Sequence, residues 1–423
     1  MKGKIEKKNQ ITVDQHYVPR FYMKNFSIIK GTGKKEKALI SFYQFDEGLL
    51  KDKIPTKSIC YKEYFYGEDG EIEKDFSEKE KKWAKTIRSI IETDKYNLTE
   101  GQEKAIKQFA IFQYCRTLAM YNYSKDTMSE ILLESMNNMI PDVKEEIARK
   151  LVNKKIEDEI HVADIIEVCD ELVQVIDDLD VSIIKFNTTK KLITSDMPVV
   201  IMNPFCSNKA GFANVGVVIL FPVSPEVMVV IYDRKIYNNC NPYMVISDEQ
   251  EVINLNKYQV INAEERILSK EQEELAWISS DSELILKREE YRLKRKVDSS
   301  FDGQGTFIAT KSRSMHYEFG LSFCKLPKYL MKIPTNCREA FERQYSYEAR
   351  INLLVRVYRF PELINQNKDI PQVKISKMKD GYSEMQKFMD GYWNIEAKNR
   401  IITPELIREL KTLHMTYFPI DKK

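Results

Sequence analysis

Apolar positions along this chain change their spacing near residue 180, from helical to strand-like. Trp83, Ala84, Ile87, Ile90 and Ile91 recur at i, i+3, i+4 and i+7, and Ala105, Ile106, Phe109, Phe112 and Met120 form a second such stripe. That spacing lays one face of a helix against a core. Each stripe follows a reciprocal capping pattern, Ser77-x-x-Glu80 and Thr99-x-x-Gln102, which predicts helices from about Glu78 to Glu92 and from Thr99 to about Tyr123. The text stays helical and charged to Asp180, with a break near Ile140-Pro141-Asp142.

From Val181, β-rich runs separated by turn residues replace the stripes: Val181 to Phe186, Lys191 to Thr194, Val199 to Met202, Val215 to Phe221 and Val227 to Tyr232. They predict an antiparallel sheet. Upstream, Leu39 to Phe45 reads as a strand ending in the Asp46-Glu47-Gly48 turn, and Tyr61 to Tyr66 as a second, short one. Helix returns between 248 and 280. Helical segments packed on a mainly antiparallel sheet make the fold class α+β. The expected division is a domain over 1–297, a linker at 298–305 and a mixed C-terminal lobe over 306–423, which closes on a helix with Thr403 as N-cap and Pro404 at its first position.

A length of 423 residues exceeds one ordinary domain. With 66 basic and 64 acidic residues the net charge is only +2, so any nucleic-acid contact has to be local. Lys287 to Lys296 holds six cations in ten residues. A solvated helix end is the plain reading, and a phosphate-backbone contact with Tyr291 stacking is the other. The seven cysteines are scattered with no CxxC spacing, which argues against a disulfide framework or a zinc knuckle. No stretch reaches the roughly 18 apolar residues of a membrane span, and the first residues lack a signal-peptide core, so a cytoplasmic chain with no membrane contact is expected. P-loop, GxGxxG, GxSxG, HExxH and kinase patterns are all missing, which lowers the standing of those chemistries.

The densest candidate chemistry is the opening stretch Gln15-His16-Tyr17-Val18-Pro19-Arg20-Phe21-Tyr22, with Asn25-Phe26 behind it. His16 reads equally as a general acid/base and as a packed imidazole bonded to a carbonyl. Arg116 falls within roughly 20° of Phe109 on the apolar helix face, and Gln113 about 40° away. A buried guanidinium needs a carboxylate or an anionic ligand, and Asp196 is a natural partner. Ser195-Asp196-Met197-Pro198 interrupts two apolar runs, as an Asx-turn or as a carboxylate presented in a cleft. Glu73 and Glu80 stand seven residues apart. With Ser77 as N-cap, Glu73 precedes the helix and Glu80 has a capping role, which leaves Glu73 open as a metal or base carboxylate.

Together these stretches resemble the bacterial and fungal family called domain of unknown function 4238, over roughly residues 11–270. Besides the opening motif, the resemblance rests on Phe42-Tyr43-Gln44-Phe45, Glu73 and Glu80, Gln113 with Arg116-Thr117, Ser195-Asp196-x-Pro198, Phe221-Pro222-x-Ser224-Pro225, and an Asn256…Ala263…Arg266 helix. It implies candidate positions more than a mechanism. His16, Glu73 and Asp196 are the catalytic candidates. Arg20, Arg116, Gln15, Gln113 and Ser195 are the phosphate- or anion-binding ones. Asp196 and Glu73 would hold Mg²⁺ or Mn²⁺ if a metal is used. Two expectations follow: a nuclease in a bacterial defence or toxin setting, or a non-catalytic sensor or binding module whose motif residues form a structural network.

Overall fold

The runs β9 (Val218–Ser224) and β10 (Val227–Tyr232) are buried at every position, because both faces of their sheet are covered. Successive side chains of a strand point to opposite faces. Val227, Val229 and Ile231 accordingly enter one core and Met228, Val230 and Tyr232 another. The sheet is the middle of three layers. The computed structural model describes residues 13–139, 145–159, 161–206, 211–293, 297–301, 306–310, 318–333, 338 and 343.

The first core is roofed by α1 (Arg20–Lys24), α2 (Glu71–Glu92), α3 (Glu100–Cys115), α6 (Val162–Glu167) and α7 (Cys169–Val175). The second is covered by α8 (Glu249–Asn262), α9 (Ser282–Leu293) and the 318–333 segment with its short helix α10 (Lys328–Met331). α4 (Leu118–Met139) and α5 (Glu145–Glu159) pair around a separate cluster of Leu133, Ala148, Val152 and Ile156.

The central sheet runs β11 (Tyr243–Ile246), β6 (Asp180–Phe186), β10, β9, β8 (Val200–Met202), antiparallel except that β11 lies parallel to β6. A second sheet orders β2 (Ile28–Lys30), β3 (Lys37–Gln44), β12 (Arg266–Ser269) and β7 (Thr194–Ser195), with β4 (Leu49–Pro55) hairpinned onto β3. The opening motif itself pairs, β1 (Asp14–His16) lying antiparallel to β5 (Tyr61–Glu63). The α+β class stands, but the expected single antiparallel sheet is two. The Lys191–Thr194 run forms only the short β7, and it belongs to the second sheet.

The capping box at Thr99 is present in both directions, with Gln102 N donating to Thr99 and Thr99 N to Gln102. The same pattern at Ser77 marks nothing. α2 begins seven residues earlier, after Gly70, whose φ of 71° suits glycine, and Asp69 accepts from the Glu71 amide at 3.0 Å. The helix expected to reach Tyr123 stops at Arg116, because the Thr117 hydroxyl bonds back to Tyr114 O and accepts from Met120 N, ending one helix and capping the next. The helix expected through 280 gives way after Asn262 to β12, where Arg266 sits.

The candidate linker at 298–305 starts inside a strand: β13 (Val297–Phe301) pairs antiparallel with β14 (Thr306–Thr310). Leu321, Phe323, Cys324 and Leu330, from the expected C-terminal lobe, are buried in the second core. The predicted helix at Thr403 lies outside the described residues.

Candidate functional site

Pairing of β1 with β5 turns the opening motif under α2 and α3. Gln15 spans the junction, its Nε2 donating to Gly67 O at 3.0 Å and its Oε1 accepting from Tyr66 N at 2.5 Å. Gln113 donates to Tyr17 O at 3.1 Å, leaving its buried Oε1 without a partner. Arg116 caps the end of α3 and is 3% exposed. Its Nη1 meets Glu80 at 2.8 Å, its Nε the Tyr66 hydroxyl at 2.9 Å, and its Nη2 the His16 carbonyl at 2.8 Å. The Tyr66 hydroxyl also donates to His16 O, and the guanidinium lies 4.2 Å from the Phe76 ring centre.

Arg116 is thus buried as its periodicity predicts, but its partner is Glu80 and not Asp196. Because α2 starts at Glu71, Glu73 sits in its first turn and Glu80 two turns on. The capping role of Glu80 and the place of Glu73 before the helix are both overturned. Burial works against the charge of Arg116, yet the Tyr66 hydroxyl and the Glu80 carboxylate hold its pKa above the ordinary value. Burial pushes the Tyr66 phenol up to about 12, against the pull of Arg116.

His16 contributes its carbonyl to this network, and its half-buried ring lies beside Tyr61, with ring centres 5.7 Å apart. Burial, Arg20 and Arg116 lower its pKa, against a hydrogen bond with the Thr56 backbone, so the ring is neutral near pH 7. Its Nε2 is buried with no partner. Arg20, on α1, is exposed and makes no ion pair with a described residue.

Asp196 lies elsewhere, in a clamp built by the end of α8. Its Oδ1 accepts from Glu264 N at 2.9 Å, and its Oδ2 from Glu265 N at 2.6 Å and Arg266 N at 3.0 Å. Ser195 Oγ donates to Gln259 at 2.9 Å and accepts from Met197 N. Asn256, Gln259 and Asn262 then take the surrounding main chain, at Ile193 N and Lys191 O, Pro198 O, and Met197 O with Val199 O. This explains why 191–199 is mostly irregular: helix side chains take the place of strand neighbours. Burial raises the Asp196 pKa to about 6 although the three amides favour its charged form.

Neither expected form of Ser195-Asp196 is seen: the local turn bond is made by the Ser195 hydroxyl with Met197 N, and the Asp196 carboxylate is buried against residues 264–266. Tyr17 touches both regions, its carbonyl taking Gln113 and its hydroxyl accepting from Arg266 at 3.4 Å. Gln15, His16, Gln113 and Arg116 therefore converge, Ser195 and Asp196 form a second centre, and Arg20 stays outside both. Reading the sequence missed Tyr66, Gln259 and Asn262. The signal for the latter two was present as uncharged polar residues at i, i+3 and i+6 (256, 259 and 262), interleaved with the apolar Leu255, Tyr258, Val260 and Ile261.

Among the described residues no group of three or more His, Cys, Asp or Glu side chains stands close enough to hold a metal ion. The basic run is largely committed in its described part. Arg288 is 1% exposed, bonds to the Ala263 and Glu264 carbonyls and lies 3.7 Å from the Phe45 ring centre. Lys287 pairs with Glu283 and Glu318, and Arg292 with Glu264; Lys294, Arg295 and Lys296 lie outside the described residues. No described helix is long and apolar enough to cross a membrane.

A family model described as protein of unknown function (DUF4238) matches residues 14–273. The chain belongs to the DUF4238 family. No curated protein and no solved structure matches it. The DUF4238 match takes in both polar centres and all of α8, and stops before α9 and the 318–333 segment that complete the second core.

Proposed function

We propose that the DUF4238 domain is a non-catalytic binding or sensor module in which Gln15, Gln113 and Arg116, and separately Ser195 and Asp196, are structural. The observation that supports this most is the Asp196 carboxylate: buried, and taken up by three main-chain amides at a helix end. A buried carboxylate already accepting from three amides is poorly placed to take up a metal ion as well. Each nitrogen of the buried Arg116 guanidinium is likewise hydrogen-bonded within the protein. Purified protein incubated with DNA and RNA, with and without Mg²⁺ or Mn²⁺, is expected to leave both intact. Cleavage that Asp196→Ala abolishes in a folded variant overturns the proposal.

The nuclease reading, with nucleic acid as partner, draws support from one feature. His16 Nε2 has no partner and the exposed Arg20 guanidinium is in its neighbourhood, so an acid/base group and an anion contact stand together. In that reading His16 moves the proton, Arg20 binds the phosphate, and Glu73 is the carboxylate nearest a metal role. Cleavage lost in His16→Ala and Arg20→Ala but kept in Asp196→Asn would select it.

A further inference from the structure

α8 serves two backbones at once. Asn256, Gln259 and Asn262 hold residues 191–199, while Glu251, Asn254 and Tyr258 hold residues 318–322. The Tyr258 hydroxyl accepts from Glu318 N at 3.1 Å and Phe319 N at 2.8 Å, and donates to Phe319 O at 2.9 Å. Asn254 donates to Gly320 O at 2.8 Å, Glu251 accepts from Ser322 N at 2.6 Å, and Asn239 donates to Ser322 O at 2.7 Å.

Six main-chain hydrogen bonds are thus made by four side chains, in a segment with no strand partner. Apolar side chains alternate along it: Phe319 packs edge-on against Tyr258 with ring centres 5.2 Å apart, while Leu321 and Phe323 are wholly buried. Main-chain capture combined with sockets for alternate side chains is how proteins recognise peptides.

We propose that this face of α8, with Asn239, is a peptide-binding groove, and that residues 318–324 are its built-in ligand. The groove lies within the family's span and the occupant beyond it. The partner that fits is a peptide with apolar residues at alternate positions, aromatic, aliphatic, aromatic, as in Phe319-Gly320-Leu321-Ser322-Phe323. The positions equivalent to 318, 319 and 322 exclude proline, because their N–H groups are used. Gly320 is not required: a Cβ there meets nothing within 4 Å. The groove shares no residue with the Arg116 or Asp196 centres, so it stands or falls independently of the module reading.

The test uses the full chain with the built-in ligand disabled, Leu321→Asp with Phe323→Asp, and a labelled peptide of residues 316–326. The variant is expected to bind the peptide at least tenfold more tightly than the wild type, where the tethered segment competes at high effective concentration. A peptide with proline at the positions of 319 and 322 is expected not to bind. A folded variant that ignores the peptide, or that binds both peptides equally, overturns the proposal. Should the double variant fail to fold, amide exchange of the wild type decides. Exchange at Phe319 and Ser322 through a local opening, accelerated at least tenfold by Tyr258→Phe, supports an exchangeable ligand. Exchange there only through global unfolding overturns it.

Discussion

The Arg116 and Asp196 centres solve the same problem, an ionised side chain inside the protein, in opposite ways. Arg116 meets a charge: Glu80, itself 26% exposed, neutralises it at 2.8 Å. Asp196 makes no ion pair with any described residue and is met by three amide dipoles. The pKa directions follow, with Arg116 held more firmly charged and Asp196 raised to about 6. A full counter-charge repays desolvation where dipoles alone repay it only in part.

The largest expected effect is on the Arg116 side. Arg116→Met removes the cation and strands the Glu80 carboxylate, while the Tyr66 hydroxyl keeps the His16 carbonyl as its partner, and it should cost about 3–5 kcal/mol in urea unfolding. Glu80→Gln, at a partly exposed partner, should cost about 1 kcal/mol, and the double variant should lose clearly less than the sum. Simple additivity within this pair would mean that Glu80 does not carry the charge of Arg116.

Asp196→Asn should cost about 2 kcal/mol, because an amide NH₂ is then turned toward main-chain donors. Combined with Arg116→Met, the two losses should add within about 0.5 kcal/mol, as expected for sites without a shared partner. A larger coupling would make the two centres one network, with Tyr17 the connection to examine.

The pH dependence separates them more finely. The folded pKa of Asp196, about 6, lies above its ordinary value of 3.8, so the native state binds more protons in that window and this contribution to stability grows as pH falls from about 6 toward 4. His16 has the opposite sign. Its folded pKa lies below 6.5, so its contribution is present above pH 6.5 and is lost as pH falls through the folded value. Between pH 7 and 5, Asp196→Asn should therefore lose stability more steeply than the wild type, and His16→Gln less steeply. Equal slopes in all three proteins would remove both groups from the account. The smallest effect is expected at Arg20, where Arg20→Ala should change stability by no more than about 0.5 kcal/mol. A larger loss would place that exposed guanidinium inside the scaffold.

Local order was legible from residues close together in the chain. The Thr99 cap, the burial of Arg116 on a helical stripe, the family of the opening motif and the strand content after Val181 all rest on spacings of a few residues. The same short pattern misled at Ser77, because a Ser-x-x-Glu sequence occurs inside helices as well as at their starts, and the Asp69-Gly70 turn decides which. Which charges meet was not legible. Glu80 lies 36 residues from Arg116, and the amides around Asp196 lie 68 to 70 residues away from it. What the amino-acid order determined by itself was that Arg116 would need a partner and that Asp196 interrupts two apolar runs, without naming the partners of either. Only the packing of α2 on α3, and of the end of α8 on the 195–198 turn, decided who they are, because a buried charge is satisfied by whatever the third dimension brings within hydrogen-bonding reach.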